Sequence, residues 1–304
     1  MDIVIKNLSY TYHAHTPFEQ QVLKDISLEI KENLWVSIIG RTGSGKSTLV
    51  QHMNGLSKPT EGSVQIGQTV IASDQKKRLD KPLYDQVGMV FQYPEHQLFE
   101  ESVFKDISYG PRNLEWPTEL IELRVLQVMG KLGLPRDLAE RSPFQLSGGQ
   151  KRRVAIAGIL VMNPKVIILD EPTAGLDPQG KRDILKVIRQ WQEEHQSTVI
   201  TITHQMEDVA EFADQVVVME HGRVKWQMDP FTLFTTYGSE LEQMGLELPQ
   251  LIQFIKELNE GYDSSHRLVP TSLNQNKLYE QIATFLKGNM KIAGSLEDIE
   301  DETR

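Results

Sequence analysis

Gly40-Arg41-Thr42-Gly43-Ser44-Gly45-Lys46-Ser47 follows the mostly apolar run Leu34–Ile39, and this junction decides the fold. An apolar run that ends in glycine reads as a buried parallel strand, and the GxxxxGKS spacing after it reads as a phosphate loop. Ser47–Asn54 then opens a helix that Gly55 can close. Glycine permits positive φ and close approach, so the backbone N–H groups of Gly43 to Lys46 can converge on an anion. The helix N-terminus adds its positive end. In this reading Lys46 reaches the β- and γ-phosphates of a nucleotide, Ser47 places its hydroxyl on Mg²⁺, and Thr48 supports the α-phosphate. Gly40, Thr42, Gly43, Ser44 and Gly45 complete the candidate nucleotide-binding set. Alone, such a loop also suits a kinase or a GTPase.

Two later segments narrow the choice. Val166–Leu169 ends in Asp170-Glu171, which puts two carboxylates at the C-terminal end of a buried strand, where open α/β sheets bind ligands. Adjacent strand residues point to opposite faces, so the two acids take different roles. Asp170 holds Mg²⁺ through water, and Glu171 accepts a proton from, or orients, the attacking water. Leu146-Ser147-Gly148-Gly149-Gln150 precedes an expected helix over Lys151–Val161. Its hydroxyl and amides therefore sit at a positive helix end suited to a γ-phosphate. One chain cannot easily bring two helix N-termini to one phosphate from opposite sides, whereas two chains head to tail can. ATP would then lie between two subunits, with Lys46 from one and Ser147 from the other.

Around these segments the first third reads as β-rich, with strands at Asp2–Tyr12, Val22–Ile30, Ser63–Gly67 and Thr69–Ser73. In the middle, Thr118 can cap a helix in which Ile121, Val125, Val128 and Leu132 recur at helical spacing, with Gly133 ending it. Strands return at Val166–Leu169, Ser197–Thr203 and Val216–Met219, and His221-Gly222 turns the chain into Arg223–Met228. Strands alternating with helices imply an α/β fold with a parallel sheet packed between helices. Past residue 228 one helix is marked by Leu251, Ile255 and Leu258 and another by Leu278, Ile282 and Phe285, the latter ended by Gly288. Gly261–Pro270 between them is loop-like, and Glu297–Arg304 is too charged to pack. The division expected is a catalytic domain at 1–228 and a small, largely helical C-terminal domain at 229–304 used in dimer assembly.

Composition excludes other classes. The chain has 304 residues, 39% hydrophobic and 24% charged, with no apolar run near the ~18 residues of a membrane span. Its start alternates like a strand and lacks a signal peptide's basic and apolar regions. Zero cysteines exclude disulfides and thiolate metal sites, which fits a cytosolic protein. The net charge of −10 argues against general nucleic-acid binding, because backbone affinity needs Lys and Arg. Residues 225–304 hold 13 acidic and 7 basic side chains, net −6, which reads as a solvated acidic surface. His13 and His15 have metal-like spacing but no further ligands nearby, so they read as loop residues.

Phosphate loop, Gln92, Leu146–Gln150, Asp170-Glu171, Asp177 and His204, in this order, resemble the nucleotide-binding subunits of ATP-binding cassette (ABC) transporters. The resemblance covers roughly residues 1–228. It implies a P-loop NTPase of the ABC type, with a mixed parallel sheet, an antiparallel β subdomain and a helical signature subdomain. It also implies that Tyr12 stacks on adenine and that Gln92 contacts Mg²⁺ or the attacking water and senses the membrane partner. Asp177 would belong to the loop linking the two sites of the dimer, and His204 would hold the γ-phosphate. ATP and Mg²⁺ are the implied cofactors.

A narrower resemblance lies in Phe91–Phe99, Tyr109-Gly110-Pro111 and Lys151–Gly158, which look like the ATPases of energy-coupling factor (ECF) importers and their cobalt and nickel relatives. Thr16-Pro17-Phe18-Glu19 resembles the second of two paralogous ATPases. This implies an ATP-hydrolysing subunit on the cytoplasmic face of the membrane that powers an importer of vitamins or transition-metal ions. Its implied partners are a second ATPase, a membrane coupling protein and a substrate-capture protein, with Gln97, Glu100 and Glu101 as plausible contacts. The alternatives are an ATPase of another ABC transporter class and, behind it, a non-transport ABC ATPase. A chromosome-maintenance ATPase would carry a long heptad insertion, a translation factor two cassettes, and a regulatory module would lack Glu171 or His204.

Overall fold

The computed structural model describes residues 1–14, 16–75, 83–263 and 266–287. His15, Gly288 and Glu297–Arg304 lie outside the described residues, as does part of the Gly261–Pro270 loop. Two compact units emerge: Met1–His204 with Asp214–Gln227, and Gln205–Ala213 with the chain from Met228 onward. The second unit thus takes in a segment that lies inside the 1–228 span.

In the first unit, β1 (Ile3–Tyr12), β2 (Gln20–Ile30), β3 (Trp35–Ile39), α1 (Lys46–Met53), β4 (Glu61–Ile66), β5 (Thr69–Ala72) and β6 (Val87–Val90) come first. The helices α2 (Val103–Asn113), α3 (Thr118–Lys131) and α4 (Gly148–Leu160) follow. Then come β7 (Val166–Asp170), α5 (Pro178–His195) and β8 (Thr198–Ile202). The helix α6 (Met206–Phe212) belongs to the second unit, and β9 (Gln215–Glu220) and β10 (Arg223–Met228) return to the first.

Four strands form an antiparallel sheet in the order β2-β1-β4-β5, and six form a second sheet in the order β10-β9-β3-β8-β7-β6. All the pairings from β9 to β6 are parallel. Every residue of β3 and β8 is buried, as expected of strands covered on both faces. Each fully buried aliphatic side chain there contributes about 1.5–3 kcal/mol by leaving water. One core joins the sheets: Ile3, Leu8 and Val64 from the antiparallel strands meet Ile38, Ile168 and Ile200, with Leu49, Val50 and Met53 of α1 among them. A small polar network pins the β3–β8 pairing, in which Trp35 Nε1 donates to Thr201 Oγ1 (3.2 Å) and Thr201 meets Ser37 Oγ (2.9 Å).

His221 and Gly222 both have positive φ (51° and 81°), the requirement of a tight two-residue turn between β9 and β10. A Cβ on Gly222 would stand 2.3 Å from the Val22 carbonyl oxygen, so close approach also selects glycine. Thr118 departs from expectation: Pro117 is the cap of α3 and Thr118 the first helical residue, with no side-chain cap. The extended ψ of Pro117 (137°) ends the loop one residue early, which places the threonine inside the helix.

The second unit is helical. After α6 come α7 (Pro230–Thr236), α8 (Gly238–Gln243), α9 (Gln250–Glu260) and a further helix, α10, over residues 275–287. Asp229 caps α7, accepting from Thr232 N (2.8 Å) and Thr232 Oγ1 (2.6 Å), and Pro230 opens the helix. The buried stripe of α9 is Ile252 and Ile255, while Leu251 and Leu258 are half-buried. Those two leucines mark the edge of the stripe and the isoleucines its centre. On α10, Leu278 and Ile282 are buried.

Candidate functional site

Four neighbouring strands, β3, β8, β7 and β6, run parallel, so their C-terminal ends lie along one edge. Each end carries a candidate residue. After β3 comes the phosphate loop, after β8 His204, at the end of β7 Asp170-Glu171, and after β6 Gln92. The chain order is β3, β6, β7, β8, and the sheet reverses the last three. That reversal places the His204 strand directly between the phosphate loop and the acid pair.

The loop itself leaves little choice at Gly40. Its φ is +149°, and a Cβ there would stand 2.3 Å from the Met219 carbonyl oxygen. The β9–β10 turn braces the loop from the same side, where Gly222 N donates to Ser44 O (3.1 Å). Lys46 is buried and donates from Nζ to the Gly40 and Arg41 carbonyls at 2.7 and 3.0 Å, which uses two of its three protons. Burial holds its pKa below the ordinary value against the pull of Glu171 and Asp170. Ser44 Oγ is buried with no hydrogen-bond partner among the described residues, a polar atom suited to a phosphate oxygen.

Tyr12 reaches the first turn of α1, its hydroxyl 3.3 Å from Thr48 Oγ1. Tyr10 packs edge-on against both Tyr12 and His52, with ring centroids 4.8 and 4.6 Å away. Fully buried His52 sets Nδ1 2.8 Å from the Thr48 carbonyl, and burial pushes its pKa down against its bonds to the Thr48 and Lys58 backbone. Tyr10 and His52 thus buttress Tyr12. The sequence signals this only weakly, through two tyrosines on one strand face.

Glu171 accepts a hydrogen bond from Gln92 Nε2 at Oε2 (2.9 Å), and His204 Nε2 lies 3.0 Å from its Oε1. Residues 92, 171 and 204 therefore meet at a single carboxylate. The two acids diverge for a different reason than strand alternation. The strand ends at Asp170, and Glu171 has φ 48°, a left-handed residue whose N–H still donates to Ile202 O (3.0 Å). Asp170 is hydrogen-bonded by Ser47, and burial raises its pKa against that bond and against Lys46 and His204, with Glu171 adding to the rise.

The oxygen donors Ser47 and Asp170 fit a hard cation such as Mg²⁺. Among the described residues no group of three or more His, Cys, Asp or Glu could hold a metal by itself. That suits an ion taking most of its ligands from phosphate and water.

Ser147 caps α4 in a reciprocal box, with Gln150 N donating to its Oγ (3.3 Å) and Ser147 N donating to Gln150 Oε1 (3.1 Å). A Cβ on Gly148 or Gly149 would meet nothing within 4 Å, so packing within the chain does not demand glycine there. Asp177 caps α5 through Gly180 N (3.2 Å) and is exposed. Glu100 is paired with Arg112 (2.7 Å) and Glu101 with Lys105, while Gln97 is exposed.

Comparison with known proteins agrees with this geometry. The family described as ABC transporter matches residues 23–174. The energy-coupling factor transporter ATP-binding protein EcfA2 of Bacillus subtilis (strain 168) is 49% identical over 243 residues, spanning 80% of this chain and 88% of that protein. The EcfA2 protein of Caldanaerobacter subterraneus subsp. tengcongensis is 45% identical over 292 residues, 96% of this chain and 100% of that one. Among solved structures, cbiO1 from Clostridium perfringens, described as part of the ABC transporter complex cbiONQ, has a TM-score of 0.69 at 38% identity, covering 84% of this chain and 98% of its own. A dimeric post-hydrolysis state of the ATP-binding cassette MJ0796 bound to ADP and Pi has a TM-score of 0.66 at 32% identity, covering 75% and 98%.

Proposed function

The chain belongs to the ABC transporter family, among the ATP-binding proteins of energy-coupling factor transporters, and from that premise we propose how its residues hydrolyse ATP and with what they assemble. The observation that carries the reading is the single carboxylate of Glu171 held by Gln92 and facing His204, at strand ends next to the phosphate loop. Gly43 to Thr48 bind the phosphates, Lys46 neutralises the β- and γ-oxygens, and Tyr12 offers its ring to the base. Ser47 would hold Mg²⁺ directly and Asp170 would hold it through water, and the bound ion would supply positive charge against the negative charge of the phosphates.

Glu171 takes the proton of the attacking water or orients it, Gln92 keeps the carboxylate aimed, and His204 meets the γ-phosphate. Exposed Ser147 and Gly148, with half-buried Gly149 and Gln150, close over the γ-phosphate of a second subunit, and Asp177 lies in the loop linking the two sites. That second subunit is a paralogous ATPase. A membrane coupling protein docks near Gln92–Glu101, a capture protein brings a vitamin or metal ion, and the ATPases work on the cytoplasmic face. The C-terminal unit serves assembly, a reading supported by Phe231, Phe254, Val269 and Tyr279, large apolar side chains it leaves exposed.

Purification of the tagged chain from detergent-solubilised membranes tests this reading. A second ATPase and two membrane proteins should come with it, and in a complex whose partner ATPase is disabled in its own phosphate loop the remaining ATP hydrolysis should vanish with Lys46→Ala. A preparation that contains no membrane protein, or one with the partner site disabled that hydrolyses ATP without Lys46, overturns it.

A further inference from the structure

Arg152, on the second turn of α4, is 2% exposed. Its guanidinium grips Glu95 with two parallel bonds, Nε to Oε2 at 3.0 Å and Nη2 to Oε1 at 2.6 Å. Its Nη1 donates to the carbonyl of Ala174. Glu95 stands three residues after Gln92, in the short turn Pro94–Gln97. Ala174 N donates to Glu171 O (3.2 Å), so the carbonyl that Arg152 holds belongs to the turn that carries Glu171. Ser147 caps the same helix from which Arg152 projects. One cation therefore joins three segments that each bear a site residue and are far apart in sequence.

Stability alone explains this poorly. Removing two ions from water consumes most of their mutual attraction, and apolar side chains of similar volume often serve as well or better. The planar fork has another property: it fixes direction, because both carboxylate oxygens and a carbonyl are met at set angles.

We infer that Arg152 is a positioning residue that makes the Gln92–Gln97 turn, the Ser147 helix and the Glu171 turn move as one body. A displacement of the turn at Glu95 then reaches both the hydrolytic carboxylate and the signature end. None of the three contacts touches residues 40–48, so the clamp acts on turnover and leaves ATP capture alone. This inference rests on the hydrolytic roles given above to Glu171 and Ser147.

The test measures steady-state ATP hydrolysis by the detergent-purified transporter complex, its partner ATPase disabled in its own phosphate loop, carrying Arg152→Gln, Arg152→Lys, Glu95→Gln, or the double change to Gln. Arg152→Gln should lower kcat on the order of 10- to 100-fold with KM for ATP unchanged, since small misplacements of reacting groups cost that much. Arg152→Lys, which keeps the charge but not the fork, should restore only part. The double variant should be no slower than the slower single one, because each single change leaves one ion unpaired and the amide pair leaves none. Thermal unfolding of each complex identifies variants that merely fail to fold, and Arg152→Lys then carries the decision. Wild-type kcat in Arg152→Gln, or KM rising in step with the loss of kcat, overturns the clamp alone. A wild-type complex that does not hydrolyse ATP overturns the functional reading and the clamp with it.

Discussion

Replacing Glu171 with glutamine tests the hydrolytic centre with the least disturbance of its shape. The carboxylate now accepts from Gln92 at one oxygen and faces His204 at the other. A glutamine keeps one acceptor and brings a donor to the second position. Gln92 can turn its own amide to accept that donor, so the structural loss is about one neutral hydrogen bond, roughly 0.5–1.5 kcal/mol. The phosphate contacts on residues 43–48 are untouched, so ATP affinity should stay within about tenfold, the factor that such a small term allows. The chemical loss is larger. A positioned general base contributes about 10²–10⁴-fold, or roughly 2.7–5.5 kcal/mol of barrier. Single-turnover hydrolysis, with enzyme in excess over radiolabelled ATP, should fall by that factor. The purified complex should carry a partner ATPase disabled in its own phosphate loop, so that only this chain's site reports. A wild-type single-turnover rate would refute the role of Glu171, and so would ATP affinity lost in parallel with rate.

Four further outcomes follow from the same structure. Ser147→Arg should block ATP-dependent dimer closure, seen by light scattering, while the isolated chain binds ATP as before; lost affinity in the monomer would place the signature in cis. Gly222→Ala forces a side chain into φ +81° against the Val22 carbonyl and should cost about 1–3 kcal/mol in chemical denaturation; an unchanged midpoint would contradict the strain. Asp229 has its pKa lowered by the hydrogen bonds from Thr232, so its contribution is present above the unfolded carboxylate pKa and is lost as pH falls through the lower folded value. Asp229→Ala should cost about 1 kcal/mol at neutral pH and flatten the fall of thermal stability with acid below the ordinary carboxylate pKa, whereas Asp229→Asn keeps most of the cap. Truncation before Asp229 strips α7 from α6, whose Met206 and Val209 are buried, so the nucleotide-free dimer should weaken and the remaining chain should unfold at lower temperature; a truncated chain that stays as stable and as dimeric as the full one would refute the assembly role.

Local rules made most of the site legible. The phosphate loop could be read because its glycines, lysine and serine are contiguous and follow an apolar strand. The acid pair and the signature could be read for the same reason, since strand ends and helix N-termini announce themselves within a few residues. Family resemblance supplied Tyr12, Gln92, Asp177 and His204, whose own neighbours carry little information. The C-terminal helices are half legible: the spacing marks Leu251, Ile255 and Leu258, of which Ile255 is buried, while Ile252 takes the place beside it and the two leucines lie at the edge, because periodicity sets the spacing of a stripe and packing decides which rows face inward.

Chain order alone could determine that a phosphate-binding α/β unit exists here, because turn chemistry, hydrophobic period and helix ends act over a few residues. It could not determine that β8 inserts between β3 and β7, because that order rests on the pairing of β8 with β3, which joins Trp35 to Val199 far along the chain. That insertion brings His204 and Gln92 to opposite sides of one carboxylate. The left-handed turn at Glu171 and the guanidinium of Arg152 buried among three segments are likewise products of packing, since each exists only when distant parts of the chain have come together.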